Sequence, residues 1–244
     1  MTKRESGKGA STADAPTWRE LAVARSLDSA RTRAESRVQR FLDAALELMD
    51  DGDGREFTVQ AVVERSGQSL RSFYQYFGGK HELLLALFEE SVRSTADHLR
   101  ERVAAEDDPL ARLHRFVVEY YAVCRPAPKR KAAKAASPPP VLVEFAQQLL
   151  TAHPAEAARA FVPLVALLEE ILDAAAGAGA IRPTLDRRRV AGVALEAIMF
   201  NAFSATIAGA PLQADTAAAA EELWDLLFHG LGAGSPGSGS AGKV

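Results

Sequence analysis

Residues Thr58 to Leu84, TVQAVVERSGQSLRSFYQYFGGKHELL, leave this chain few folds to choose from. Thr58 is a good helix N-cap, because its hydroxyl can accept from an amide of the first turn. Ala61, Val62 and Val63 supply an apolar side. Ser66-Gly67 then stops the segment, since glycine takes the left-handed conformation at little cost. Ser69 can cap a second short helix, Leu70 to Phe77. Two short helices joined by a tight glycine-containing turn form a helix-turn-helix unit. Phe73 and Phe77, four residues apart, share the inward face. That leaves Arg71, Ser72, Gln75 and the hydroxyls of Tyr74 and Tyr76 for phosphates and base edges. Gly78-Gly79 ends the second helix, and Lys80 stands at the mouth of the next.

The run Ser66-Gly67-x-Ser69-x-x-Ser72-Phe73-Tyr74-x-Tyr76-Phe77-x-x-Lys80-x-x-Leu83 resembles the DNA-binding signature of the tetracycline-repressor (TetR) family of bacterial regulators. The common family pattern is Gly-Val-Ser-x-Gly-Thr-(Leu/Phe)-Tyr-x-(His/Tyr)-Phe-x-x-Lys-x-x-Leu. Two positions depart from it: Gln68 replaces the usual turn valine, and Arg71 the usual glycine near the start of the recognition helix. In detail the resemblance covers Arg37 to Phe88; beyond that only a helical architecture matches. It implies a homodimer that binds a double-stranded DNA operator and answers to a small-molecule effector held in a carboxy-terminal bundle.

Apolar residues make up 48% of the 244, enough for a sizeable core. The formal net charge is −3, so attraction to DNA must come from a local patch. Cys124 is the one cysteine, which excludes an internal disulfide framework and a cysteine-rich zinc site. No long apolar run spans a bilayer, and the first twenty residues lack the apolar core of a secretory signal. We therefore expect a cytoplasmic protein with no membrane partner.

The periodicity predicts an all-α chain of about nine helices: a three-helix head at residues 34–79 and a helical bundle at 80–231. Residues 1–33 read as a disordered basic arm, although Trp18 to Leu27 could form a short helix. Between Arg25 and Arg40 five arginines face Asp28 and Glu35, a balance of 5 − 2 = +3. Such an arm could touch a minor groove or a phosphate, or be a solvated tail. The first helix is expected near Ala34 to Asp51, inner face Val38, Phe41, Leu42, Ala45, Leu46 and Met49. Further helices are expected from Gly79 to about Ala105, from Asp108-Pro109 to before Pro126, over Val141 to Thr151, over Ala155 to Ala176, from Asp186 to about Ala208, and from about Asp215 to Leu231. Residues 126–140, with Lys129, Arg130, Lys131 and Lys134, read as a flexible loop, and 232–244 as a disordered tail.

Candidate DNA contacts are Arg71 and Gln75 for base edges, and Thr58, Ser69, Ser72, Tyr74, Tyr76 and Lys80 for phosphates. Candidate linings of an apolar effector pocket are Phe116, Tyr120, Phe145, Leu149, Phe161, Leu168, Met199, Phe200 and Phe203, although a stripe at helical spacing is usually ordinary core. Glu144, Glu196 and Asn201 sit in apolar runs, where a ligand, an internal hydrogen bond or simple exposure would satisfy them. Small residues of the last two helices (Ala191, Gly192, Ala194, Ala197, Ala202, Ala205) permit close helix approach, and Trp224 and Phe228 could anchor a second subunit or complete the monomer core.

An enzyme is a weaker reading. The five histidines His81, His98, His114, His153 and His229 are scattered, none at a metal-binding spacing such as HExxH, and no phosphate-cradling loop follows a strand. Cys124 beside Arg125 suits a small apolar filler better than a nucleophile. We expect no cofactor, no metal and no catalytic residues. A helical adaptor whose head has lost DNA binding is the other rival, and Gln68 and Arg71 are its only support.

Overall fold

The computed structural model describes residues 17–51, 57–125, 140–207 and 216–229. These form ten helices, and no strand occurs among the described residues. The expected arm's first sixteen residues, residues 52–56, most of the expected loop 126–140, residues 208–215 and the expected tail lie outside the described residues. Among the described residues no helix is long and apolar enough to cross a membrane.

Helix α1 runs unbroken from Trp18 to Asp51, so it starts well before the expected Ala34. Local support explains the extension. Arg31 pairs with Glu35 at 2.7 Å, and the guanidiniums of Arg25 and Arg33 donate to carbonyls one turn back. The arm is therefore not disordered over 18–33. Its described side chains there are all exposed, and burial begins only at the Val38–Phe41 turn.

The head is α1 with α2 (Val59–Ser66) and α3 (Leu70–Tyr76). Thr58 caps α2, accepting from the Ala61 amide at 3.1 Å. Phe57 just before the cap and Val62 one turn on are both buried, the pairing of a hydrophobic staple. Gly67 ends α2 at φ 64° in the left-handed region, and its amide and that of Gln68 close onto the Glu64 and Val63 carbonyls. Ser69 caps α3 through the Ser72 amide at 3.1 Å. Phe77 is the residue after α3, not its last member. Phe41 of α1 is fully buried between Phe73 (ring centroids 5.4 Å apart) and Phe77 (6.1 Å), edge-on to both. An ion pair between Arg65 and Glu47 at 3.3 Å ties α2 to α1.

Helix α4 (Lys80–Val103) begins in the head and ends in the bundle. The Glu82 carboxylate accepts from the Gly78 amide at 2.6 Å, satisfying a donor that the start of α4 would leave open. The bundle adds α5 (Pro109–Cys124), α6 (Pro140–Ala152), α7 (Pro154–Ala160), α8 (Val162–Gly177), α9 (Arg187–Ile207) and α10 (Thr216–His229). The expected single helix over Ala155 to Ala176 is two. Phe161 forms a turn between them, because Pro163 in the first turn of α8 has no amide to continue the α7 ladder. This break makes ten helices of the expected nine. Helix α5 is the central rod, packed by α4, α8, α9 and α10, with Leu113, Phe116, Val117, Tyr120, Tyr121 and Cys124 buried. Arg102 of α4 and Arg115 of α5 both reach Glu119 at 2.8 Å, and His114 joins Glu221 of α10 at 2.7 Å.

Candidate nucleic-acid interface and effector cavity

The side of α3 opposite Phe73 is open. Arg71, Tyr74 and Gln75 are exposed, Tyr74 at 58%, and its ring stands edge-on to Phe73 at 5.4 Å. The buried phenylalanine thus fixes the tyrosine's direction while leaving the hydroxyl outside. Thr58 and Ser69 are exposed at the starts of α2 and α3, but each hydroxyl is already used as an acceptor by its own helix. A phosphate would therefore meet the hydroxyl's proton and the neighbouring amides of the turn. Ser72 and Tyr76 are half-buried: the Ser72 hydroxyl donates to Gln68 Oε1 at 3.5 Å, and the Tyr76 ring packs against the core. Lys80 is half-buried at the start of α4, its ammonium 4.9 Å from the centre of the Phe57 ring.

These groups come from one side of a compact head: the start of α2, the exposed face of α3 and the start of α4. They offer one lysine, one arginine, five hydroxyl-bearing residues (Thr58, Ser69, Ser72, Tyr74 and Tyr76) and the amide of Gln75, with no carboxylate on the exposed side of α3. Gln68 departs from this order. Its amide nitrogen is buried in the turn without a hydrogen-bond partner.

In the bundle the candidate pocket residues separate. Tyr120, Phe161, Met199 and Phe203 converge on one small cavity of about 50 Å³, together with Phe88, Ser91, Val92 and Thr95 of α4, and with Cys124. Burial pushes the Cys124 thiol up to about 12, an effect its hydrogen bond with Tyr120 partly offsets, and holds the Tyr120 hydroxyl well above its ordinary range. Phe116 is fully buried beside Tyr120, ring centroids 5.9 Å apart, and Phe145 and Leu149 are buried on α6. Leu168 lines a different and larger groove, of about 740 Å³, with Leu113, Val190, Val193, Trp224, Leu227 and Phe228.

Three sequence candidates point away from the interior. Glu144, Phe200 and Asn201 are exposed, Phe200 at 45%, because helical spacing carries them to the outer face of α6 and α9 while Leu142, Phe145, Met199 and Phe203 take the inner one. Glu196 is also exposed and edges a third groove with Phe161 and Val162. Trp224 is buried in its own chain, stacked on Phe228 at 4.9 Å and edge-on to His114 at 5.0 Å, so it fastens α10 to α5.

Residues 41–87 match the family model described as bacterial regulatory proteins, tetR family. In this head the chain is similar to the TetR family. The match runs from Phe41, at the centre of the head, to Leu87, in the second turn of α4. An uncharacterized HTH-type transcriptional regulator of Bacillus subtilis, YvdT, is 24% identical over 76 residues, which cover 31% of this chain and 39% of that relative. Among solved structures, Thermus thermophilus FadR in complex with lauroyl-CoA superposes with a TM-score of 0.62 at 21% identity, covering 82% of this chain and 98% of that one. FadR from Bacillus subtilis in complex with stearoyl-CoA gives 0.57 at 15% identity, covering 80% and 99%. At these identities the likeness is one of fold.

Sequence reasoning missed one grouping in this protein. His81 at the start of α4 meets His153 and Glu156 at the start of α7. The three are far apart along the chain, so only the packing of α6 and α7 against α4 reveals them.

Proposed function

We propose that this TetR-family regulator is a ligand-responsive repressor that binds a near-palindromic operator as a homodimer. Its chief support is the outward face of α3, where Arg71, Tyr74 and Gln75 are exposed on a helix held rigid by Phe73 and a serine cap. Each subunit would lay α3 in a major groove, with Arg71 and Gln75 at base edges and Thr58, Ser69, Ser72, Tyr74, Tyr76 and Lys80 along the phosphates. Two heads would then read half-sites about 34–36 Å apart, one turn of the duplex.

The subunit contact falls to the last two helices. Val193 (58%) and Phe200 (45%) are exposed on α9, Leu226 (46%) and Leu227 (39%) on α10, and the 740 Å³ groove opens where α9 and α10 flank α5. Apolar side chains of this size on an outer face favour a partner of like character. That groove touches no residue of α4, so it is a poor lever on the head.

The small cavity is the better effector site, because four of its lining residues belong to α4. It is far smaller than the roughly 300 Å³ or more of an ordinary ligand pocket. A hydrophobic effector must therefore spread α4 from α8 and α9 to enter, and the displaced α4 carries the head off its half-site. The effector shifts the balance only by its preference for the spread state. The acyl-CoA found in two similar structures makes an acyl chain the first class to try.

A gel-shift titration on the gene's own upstream region, across a salt series and with lauroyl-CoA added in a second arm, tests the proposal. Binding should weaken with salt by a log–log slope of about −0.9 per phosphate neutralised. A monomer that ignores this DNA at low salt would refute it.

A further inference from the structure

The cluster at the junction of head and bundle has the donor set of a metal site. His81 is the second residue of α4, next to Lys80. His153 directly precedes α7, and Glu156 lies in its first turn. His81 Nε2 is 2.8 Å from Glu156 Oε2, and His153 Nδ1 is 4.0 Å from Glu156 Oε1. One donor atom from each of the three falls within 4.8 Å of the others. The two imidazole rings lie 4.8 Å apart, and Phe145 packs edge-on to His81 at 5.4 Å, which fixes that ring.

Two imidazoles and a carboxylate, with room for a water, are the ligands of zinc sites that keep an open position. A tetrahedral zinc with bonds of about 2.0–2.1 Å separates its ligands by about 3.4 Å. The observed spacings bracket that value, so small side-chain rotations close the site. The side chains are 41%, 43% and 28% exposed, so an ion and its water can reach them. The hydrogen bond from His81, with smaller contributions from His153 and Arg159, holds the Glu156 carboxyl below its usual range. Arg159 is the one group of this set that opposes a cation.

We propose that His81, His153 and Glu156 bind a first-row divalent metal ion, zinc fitting best, with water as the fourth ligand. The ion replaces the hydrogen bond now joining His81 to Glu156 and links the first turn of α4 to the first turn of α7. It thereby clamps the start of the helix that follows α3 to the bundle. This goes beyond the repressor function, and ion binding does not depend on that function being right.

The test is a titration of metal-free, full-length protein with Co²⁺ alone, followed by displacement with Zn²⁺. Four-coordinate cobalt bands should appear up to one equivalent per chain and vanish on adding zinc. His153→Gln and Glu156→Gln should each weaken binding by at least about tenfold, whereas His229→Gln, at the end of α10, should not. Zinc should raise the thermal midpoint of the parent protein and not that of Glu156→Gln, whose far-ultraviolet dichroism confirms that it is folded. Absence of the bands at one equivalent, or equal affinity in parent and both ligand variants, overturns the proposal.

Discussion

The Lys80 ammonium rests 4.9 Å from the centre of the Phe57 ring, so the residue that opens α4 is held by the residue that precedes α2. This contact aims the charge at the start of the helix-turn-helix with no acidic partner among the described residues. Lys80→Ala is expected to weaken binding to all DNA sequences alike and to reduce the salt slope by about 0.9. Arg71→Ala is expected instead to lose about 1–3 kcal/mol on the preferred operator and to relax its sequence preference. Competition gel shifts with operator and random DNA distinguish the two. An unchanged preference in Arg71→Ala would remove that side chain from base reading.

Gln68 supplies a stability prediction. A buried donor without a partner costs about 1–3 kcal/mol, and Gln68 Nε2 is such a donor. Gln68→Val removes it and keeps an apolar body in the turn. Urea unfolding should show the variant more stable by about 1 kcal/mol. A loss of stability would mean that the amide is satisfied in solution.

Phe200 is exposed on α9, on the face assigned to the second subunit. Phe200→Asp is expected to leave helix content unchanged and to shift sedimentation from dimer to monomer, since an unpaired charge in an apolar contact costs several kcal/mol. A dimer that survives this change along with Val193→Asp must be formed elsewhere.

Cys124 and Tyr120 make stability fall in alkali. Burial raises the thiol from an ordinary 9.0 to about 12. A folded-state value above the unfolded one gives stability that is complete below the unfolded value. It is lost as pH climbs from 9.0 to about 12. Tyr120 acts in the same direction from 10.0 upward. Denaturation curves across this range should fall more steeply for the parent than for Cys124→Ala. For the same reason the native thiol should resist iodoacetamide at neutral pH until an effector opens the cavity. Fast labelling of the effector-free protein would contradict this burial.

The head was legible residue by residue because capping and glycine turns are local: Thr58, Gly67 and Ser69 occupy the backbone roles that their types suggest. Periodicity also placed Phe73 and Phe77 inward beside Phe41. Where neighbours decide, the sequence said less. An apolar stripe shows that a face is buried without showing against what, so Phe116 and Phe145 in the packed core looked no different from Met199 and Phe203 at the cavity. Pro163 was a visible breaker inside the run over Ala155 to Ala176, and the split between α7 and α8 could have been read from it. The meeting of His81 with Glu156 could not, since it depends on how α7 docks against α4.

Helix α1 has 34 residues, a length of about 51 Å, and nearly half of it stands clear of the other described residues. Trp18, Leu21, Val23 and Leu27 are exposed on that projecting stretch. Exchanges at such positions usually alter stability by no more than about 0.5 kcal/mol. The projecting spar can therefore drift in sequence, acquiring or losing attractions toward whatever lies beside the head, while the molecule's interior stays indifferent.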